Sequence, residues 1–190
     1  MICTRTYSDI PLPFDEICRY AGCPVPDDRE TAEIRACLAE TAGKLSWRVC
    51  YTEMPLSWEA LPPDSLSLEK YLKDCARLIV FAATVGLEPD RRIARYSRIS
   101  PVKALFFQAI GAAAIESLCD FFCAELAGEY APAVLKPRFS PGYGDVPLTL
   151  QKDIFTLLDC PRKIGLTLNA SMLMSPTKSV TALIGIRNDI

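Results

Sequence analysis

The sequence predicts an α+β protein with a mostly antiparallel or mixed sheet, packed with a long buried helix and flanking helices. Three observations carry this. Helix-period and strand-period stretches are interspersed along the chain. Residues 78–85 form a continuous apolar run with β-branched members, as a fully buried strand does. Ser100-Pro101 opens a helix that is apolar nearly all round.

Taken in order, residues 1–12 read as an irregular or extended lead-in broken by Pro11 and Pro13. A short helix follows over 14–20, ending near Ala21-Gly22, and Pro24-Val25-Pro26 is a stiff linker. Asp27 or Asp28 can cap the next helix, with Glu30 three residues after Asp27 as a capping box requires. Ile34, Cys37, Leu38 and Thr41 make its inward stripe, and Gly43 is placed to end it. Residues 45–54 alternate, with Trp47, Val49 and Tyr51 on one side, which predicts a half-buried strand. Leu61-Pro62-Pro63-Asp64-Ser65 is a loop. Residues 67–75 suit a short helix capped by Ser67, with Leu68, Tyr71 and Leu72 inward.

Gly86 ends the strand at 78–85, and 88–96 reads as a charged helix. Serine at the cap and proline at the first helical position then start the long helix. It is expected to run to about Ala127 and stop at Gly128. Its polar residues Gln108, Glu116 and Asp120, with Ala112 between, recur every fourth position and form one narrow stripe. That stripe either meets water or borders a cleft. Residues 148–158 form a short amphipathic helix. Residues 169–174 and 179–186, around Ser175-Pro176-Thr177-Lys178, fit a C-terminal hairpin.

Composition excludes several function classes. Half of the 190 residues are hydrophobic, enough for one domain over 1–190. The 21 basic and 23 acidic residues are dispersed, so the basic patch that nucleic acid requires is missing. No signal-like segment precedes the fold, and the charge-free apolar runs at 78–87 and 104–115 are too short to span a bilayer. Neither nucleic acid nor membrane is expected as a partner. The nine cysteines (3, 18, 23, 37, 50, 75, 119, 123 and 160) include no CxxC pair, which leaves a zinc ribbon or iron–sulfur cluster unsupported. This cysteine usage suits a reducing cytoplasm. Histidine is absent, which excludes histidine-based triads, histidine metal sites and an imidazole general base.

The stretch with the most chemistry is Arg138-Phe139-Ser140-Pro141-Gly142-Tyr143-Gly144-Asp145. Pro141-Gly142 is a turn signal, and glycines let a backbone approach a ligand. Arg138 offers a planar fork of donors suited to a carboxylate. The loop reads either as a structured turn with one surface arginine or as a cradle for a small anionic or zwitterionic molecule.

These motifs resemble the activation domain of vitamin B12-dependent methionine synthase. Arg138-Phe139-Ser140-Pro141-Gly142-Tyr143 is similar to its Arg-x-x-x-Gly-Tyr signature. Ala83-Thr84-Val85-Gly86-Leu87-Glu88 resembles its Thr-x-Gly strand end, and Ala114-Ile115-Glu116-Ser117-Leu118 its alanine-rich helix with an embedded glutamate. Ser175-Pro176-Thr177-Lys178-Ser179-Val180 resembles its Trp-Pro-Gly-Ala-Ser-Val segment. The likeness runs over roughly 78–186 and is weak over 1–77. The chain is expected to stand alone, unlike the family domain; it carries Ser175 for the tryptophan and places Ile184-Gly185 where an aromatic pair is found.

The resemblance implies a stand-alone protein that binds S-adenosylmethionine. It would support reductive methylation of cob(II)alamin carried by a corrinoid-binding protein or methionine synthase. A flavodoxin or ferredoxin would donate the electron, and the chain would be an accessory or subunit of that methyltransferase in methionine biosynthesis. It implies further that Arg138 binds the ligand's carboxylate, that Ser140, Pro141, Gly142, Tyr143 and Gly144 hold the rest, and that Glu116, Ile184 and Gly185 border the site. Asp9 and Asp15 are candidates for the family's N-terminal aspartate, which takes the ligand's amino group. No side chain is assigned a catalytic role. The alternatives are a non-catalytic interaction or sensor protein that retains the fold, and a free-standing small-molecule methyltransferase. The last lacks the glycine-rich strand-to-helix loop of nucleotide-binding folds.

Overall fold

A computed structural model describes residues 1–57, 61–62 and 64–187; Pro63 of the expected loop lies outside the described residues. The elements are β1 (Cys3–Tyr7), α1 (Phe14–Tyr20), α2 (Asp28–Thr41), β2 (Trp47–Pro55), α3 (Leu66–Leu72), β3 (Arg77–Thr84) and α4 (Glu88–Tyr96). They continue with α5 (Pro101–Glu129), β4 (Val134–Leu135), α6 (Leu150–Leu158), α7 (Cys160–Ile164), β5 (Thr167–Leu168), β6 (Met174–Ser175) and β7 (Ser179–Arg187). The α+β class stands, and the main sheet is antiparallel throughout in the order β1-β2-β3-β7-β4.

β3 sits at the centre because its residues can be buried on both faces. Phe81 faces Tyr51 of β2 and Ala182 of β7, and Leu78 through Ala83 are buried without exception. Burying such a run on both sides needs a layer on each face. On one face the C-terminal half of α5 packs Ile115, Leu118, Phe122 and Leu126 onto Val49, Ile79, Phe81 and Ile184. Phe122 lies 5.2 Å from both the Phe81 and the Tyr51 rings. On the other face α3, α6 and α7 cover Cys50, Leu78, Val80 and Leu183. The N-terminal half of α5 extends past the sheet and meets α1 and α2 through Phe106, Phe107 and Ile110, against Ile17, Ile34 and Cys37. One helix therefore serves two cores, which explains why it is apolar nearly all round. It is also the one helix among the described residues long and apolar enough to cross a bilayer; here it is packed inside the protein.

Several elements follow the local signals. The capping box of α2 is formed: Asp27 accepts from the Glu30 N–H at 2.7 Å and Glu30 accepts from the Asp27 N–H at 2.9 Å. α1 and α4 occupy their expected spans.

Others differ, for physical reasons. The lead-in contains an edge strand, β1, paired with β2 from Cys3↔Tyr51 to Tyr7↔Trp47. Because β1 covers its outer edge and α7 one face, β2 buries residues of both faces, Cys50 and Thr52 as well as Trp47 and Val49. α3 is capped by Ser65, not Ser67: the Ser65 hydroxyl accepts from the Leu68 N–H at 3.1 Å. α5 runs through Gly128 to Glu129, because one glycine costs a helix only about 1 kcal/mol relative to alanine. The C-terminal hairpin does not form. β6 pairs with β5, while β7 inserts between β3 and β4 and gains two partners instead of one. α7 goes unannounced in the sequence apart from Pro161 in its first turn.

Candidate functional site

The site lies where the edge of the main sheet meets α5. Residues 134–139 continue along β7 beyond β4: the Lys136 N–H donates to the Gly185 carbonyl at 2.9 Å, and Phe139 and Leu183 exchange hydrogen bonds of 2.9 and 2.8 Å. Between Lys136 and Phe139 three steps of this segment match two of β7, from Gly185 to Leu183, so the segment bulges there. Arg138 points to the α5 side and Phe139 to the α3 side. Phe139 stacks on Tyr71 with ring centres 4.8 Å apart. The Tyr71 hydroxyl donates to the Pro137 carbonyl at 2.6 Å and accepts from the Gly185 N–H at 3.1 Å. Burial pushes that phenol up to about 12. Lys136 donates to the carbonyls of Tyr71 and Lys73, both at 2.7 Å, placing a cation at the end of α3.

Arg138 is held by two carboxylates one helical turn apart. One guanidinium nitrogen bonds Asp120 and another bonds Glu116. Burial pulls the guanidinium's pKa down, yet the Asp120 hydrogen bond and the charges around it carry it above its ordinary value. Glu116 is partly shielded, while the Asp120 side chain is 72% exposed. The Glu116–Asp120 end of the polar stripe thus borders a cleft, while Gln108 is exposed and lines neither cavity beside Arg138.

Two cavities share Arg138. One, about 290 Å³, is lined by Glu116, Arg138, Phe139, Ser140, Tyr143 and Val180. The other, about 590 Å³, is bordered by Asp120, Cys123, Lys136, Arg138 and Ile184 among others. Burial raises the Cys123 thiol, so it sits at the cleft as a neutral, weakly polar group.

The loop after Arg138 is a fixed turn. The Tyr143 N–H donates to the Ser140 carbonyl at 3.2 Å, and the Gly142 N–H to the Val146 carbonyl at 3.0 Å. Gly144 needs its glycine twice over: φ is +58°, and a Cβ would sit 2.5 Å from the Ser67 hydroxyl. Asp145 anchors the loop to the start of α3. It accepts from the Ser65 hydroxyl at 2.6 Å, the Leu66 N–H at 2.9 Å and the Ser67 N–H at 3.1 Å. The Ser65 hydroxyl and these amides hold its carboxyl below the usual range.

Of the residues singled out in the sequence, Glu116, Arg138, Ser140 and Tyr143 meet at one cavity, and Ile184 lines the other. Tyr143 is 70% exposed at the rim. Pro141 is buried beneath the turn; Gly142 and Gly144 shape it without lining either cavity. Gly185 faces the opposite layer, where a Cβ would meet Cys75 Sγ at 2.7 Å. Asp9 lines a separate cavity of about 340 Å³ beside Leu38 and Trp47, and Asp15 lies in the first turn of α1. Neither borders the Arg138 cavities. Sequence reasoning did not single out Tyr71 and Phe139 for the site, nor the direct hold of Asp120 on Arg138. The one available signal was the four-residue step from Glu116 to Asp120.

Residues 133–189 match the family model described as the vitamin B12-dependent methionine synthase activation domain. No curated protein matches the chain. Among solved structures, the MetH reactivation domain bound to AdoHcy superposes with a TM-score of 0.68 at 15% identity, over 100% of this chain and 79% of that one. The resemblance read from the sequence is borne out on both counts: the chain has the fold of the methionine synthase reactivation domain, and its residues 133–189 carry the sequence pattern of the activation-domain family.

Proposed function

We propose that the Arg138 cleft binds S-adenosylmethionine, and that the chain thereby supports reductive methylation of cob(II)alamin held outside these 190 residues, on a corrinoid protein or methionine synthase. The observation that carries this reading is Arg138 itself, set between two cavities beside Glu116 and Tyr143, in a fold shared with a domain solved with AdoHcy.

The residues fit the ligand's chemistry group by group. The guanidinium matches the ligand's carboxylate as a bidentate, charge-assisted pair. Glu116 and Asp120 suit its positive groups. The exposed Tyr143 ring can face a sulfonium, which an aromatic face attracts. S-adenosylmethionine supplies a methyl group already activated by its positive sulfur, so the protein's part is to bind, orient and release. A chain without histidine is adequate to that task. The corrinoid and the reducing electron come from elsewhere, the latter from a flavodoxin- or ferredoxin-type donor in the cytoplasm.

Calorimetric titration with S-adenosylmethionine and S-adenosylhomocysteine tests the reading. Binding that disappears in Arg138→Ala supports it. A second reading, a non-catalytic interaction protein that keeps the fold, is favoured by one observation: Glu116 and Asp120 already satisfy the guanidinium. Absence of binding at millimolar ligand, in a folded wild-type protein, would decide for it.

A further inference from the structure

Nine cysteines are spread along the chain, and among the described residues one pair of sulfurs is in contact. Cys50 of β2 and Cys160, the first residue of α7, place their Sγ atoms 4.0 Å apart, joined by a thiol hydrogen bond. Both side chains are fully buried in the layer that α3, α6 and α7 form over the sheet. They belong to the side of the sheet opposite the Arg138–α5 contacts.

The pair behaves unlike the other buried cysteines. Burial raises the thiols of Cys18, Cys23, Cys37, Cys75, Cys119 and Cys123. At Cys50 the hydrogen bond with Cys160 outweighs burial and lowers the thiol, with Lys163 adding its positive charge. Cys160 is raised, first by its bond to Cys50 and then by burial, with Asp159 adding to the shift. The two sulfurs therefore titrate as a unit, and Cys50 gives up the first proton. A thiolate beside a second thiol is the arrangement of an attacking and a resolving cysteine.

We propose that Cys50 and Cys160 are an oxidative modification site that closes into a disulfide and clasps β2 to α7. The oxidant is hydrogen peroxide. The Cys50 thiolate attacks one peroxide oxygen, the O–O bond breaks, hydroxide leaves and Cys50 becomes a sulfenic acid. The Cys160 sulfur then attacks the Cys50 sulfur. The S–O bond breaks, the hydroxyl leaves as water with the Cys160 proton, and the S–S bond remains. Two thiols lose two electrons and two protons in all, and the peroxide is reduced to two waters. The sulfurs must close from contact to about 2.05 Å. Because both thiols are shut off from solvent, oxidation and later reduction run through local openings of the α6–α7 layer. The bridge joins residues 110 positions apart, so it constrains the unfolded chain strongly.

The test uses the full chain, reduced, freed of reductant and exposed to hydrogen peroxide until the exposed Cys3 has reacted. Remaining thiols are blocked and unreduced peptides are read by mass spectrometry. A linked peptide pair carrying Cys50 and Cys160, two hydrogens lighter and lost with dithiothreitol, is expected. The melting temperature of the treated protein should rise by roughly 5–10 °C and return with dithiothreitol. Cys50→Ala and Cys160→Ala, each checked as folded by circular dichroism, should form no bridge and show no such rise. Bridging of a different pair, or Cys50 and Cys160 both recovered as free thiols after Cys3 has reacted, overturns the proposal. So does a reversible rise of the same size in either folded variant. These wild-type readouts stand even where a variant fails to fold, and none depends on the S-adenosyl reading.

Discussion

Arg138 and Phe139 are neighbours in the chain and are gripped by opposite layers of the protein. The arginine is bonded to Glu116 and Asp120 of α5; the phenylalanine is stacked 4.8 Å from Tyr71 of α3. The edge segment between them cannot slide along β7 without turning both side chains to the wrong face. The position of the guanidinium is therefore tied to packing against α3 as well as to its bonds with α5.

That coupling predicts an effect at a distance. Tyr71→Phe removes a hydroxyl that bonds the exposed Pro137 carbonyl and the Gly185 N–H, leaving the N–H of the buried Gly185 short of a partner. The expected loss of stability is about 1–3 kcal/mol. Ligand affinity should fall as well, although Tyr71 lines neither Arg138 cavity. Urea unfolding and calorimetry on the same preparation check both parts.

Replacing Arg138 by alanine is expected to weaken S-adenosylhomocysteine about tenfold to a hundredfold, the range of a lost charge-assisted pair. Arg138→Lys should not restore it, because an ammonium cannot present two parallel donors to a carboxylate. Equal affinities for the lysine variant and wild type would show that only charge matters at this position.

Gly185 predicts a rescue. A methyl group there meets Cys75 Sγ at 2.7 Å and Leu72 Cδ2 at 3.2 Å, so Gly185→Ala should destabilise by about 1–3 kcal/mol. Removing the sulfur with Cys75→Ala in the same chain should recover most of that. A double-mutant cycle in urea reads the coupling directly, and additive costs would place the strain elsewhere.

Asp145 predicts acid sensitivity. Its folded-state pKa is depressed, so its contribution is present above the unfolded value, about 3.9, and is lost as pH falls through the folded one. The melting temperature of wild type should drop more steeply below pH 4 than that of Asp145→Asn. The variant starts lower and runs flatter. Parallel curves would mean that the cap carries no linked proton.

Much of this was legible locally. Asp27 and Glu30 announce their capping box within four residues, and Leu78–Ala83 announce a central strand by composition. Glu116 and Arg138 were legible as site residues. Their partnership was not, because no periodicity relates positions 22 apart on a helix and a strand. Ser65 lost to Ser67 as the expected cap because the deciding group, Asp145, lies 80 residues away. The C-terminal hairpin failed for the same kind of reason. Local pairing of β7 was outweighed by one long partner, β3, and by the short β4 on its other edge, which no turn signal reveals.

The place of β7 also fixes when the cleft comes into being. It is the last strand of the described chain, yet it lies between β3 and residues 134–139. A ribosome that has just made Arg138 has not yet made the strand that seats it. Until residues near 183–186 emerge and dock, the arginine strand has no neighbour to pair with. The cleft is seated only when the sheet's last strand has docked, so an Arg138 held in its cleft reports a central sheet already complete.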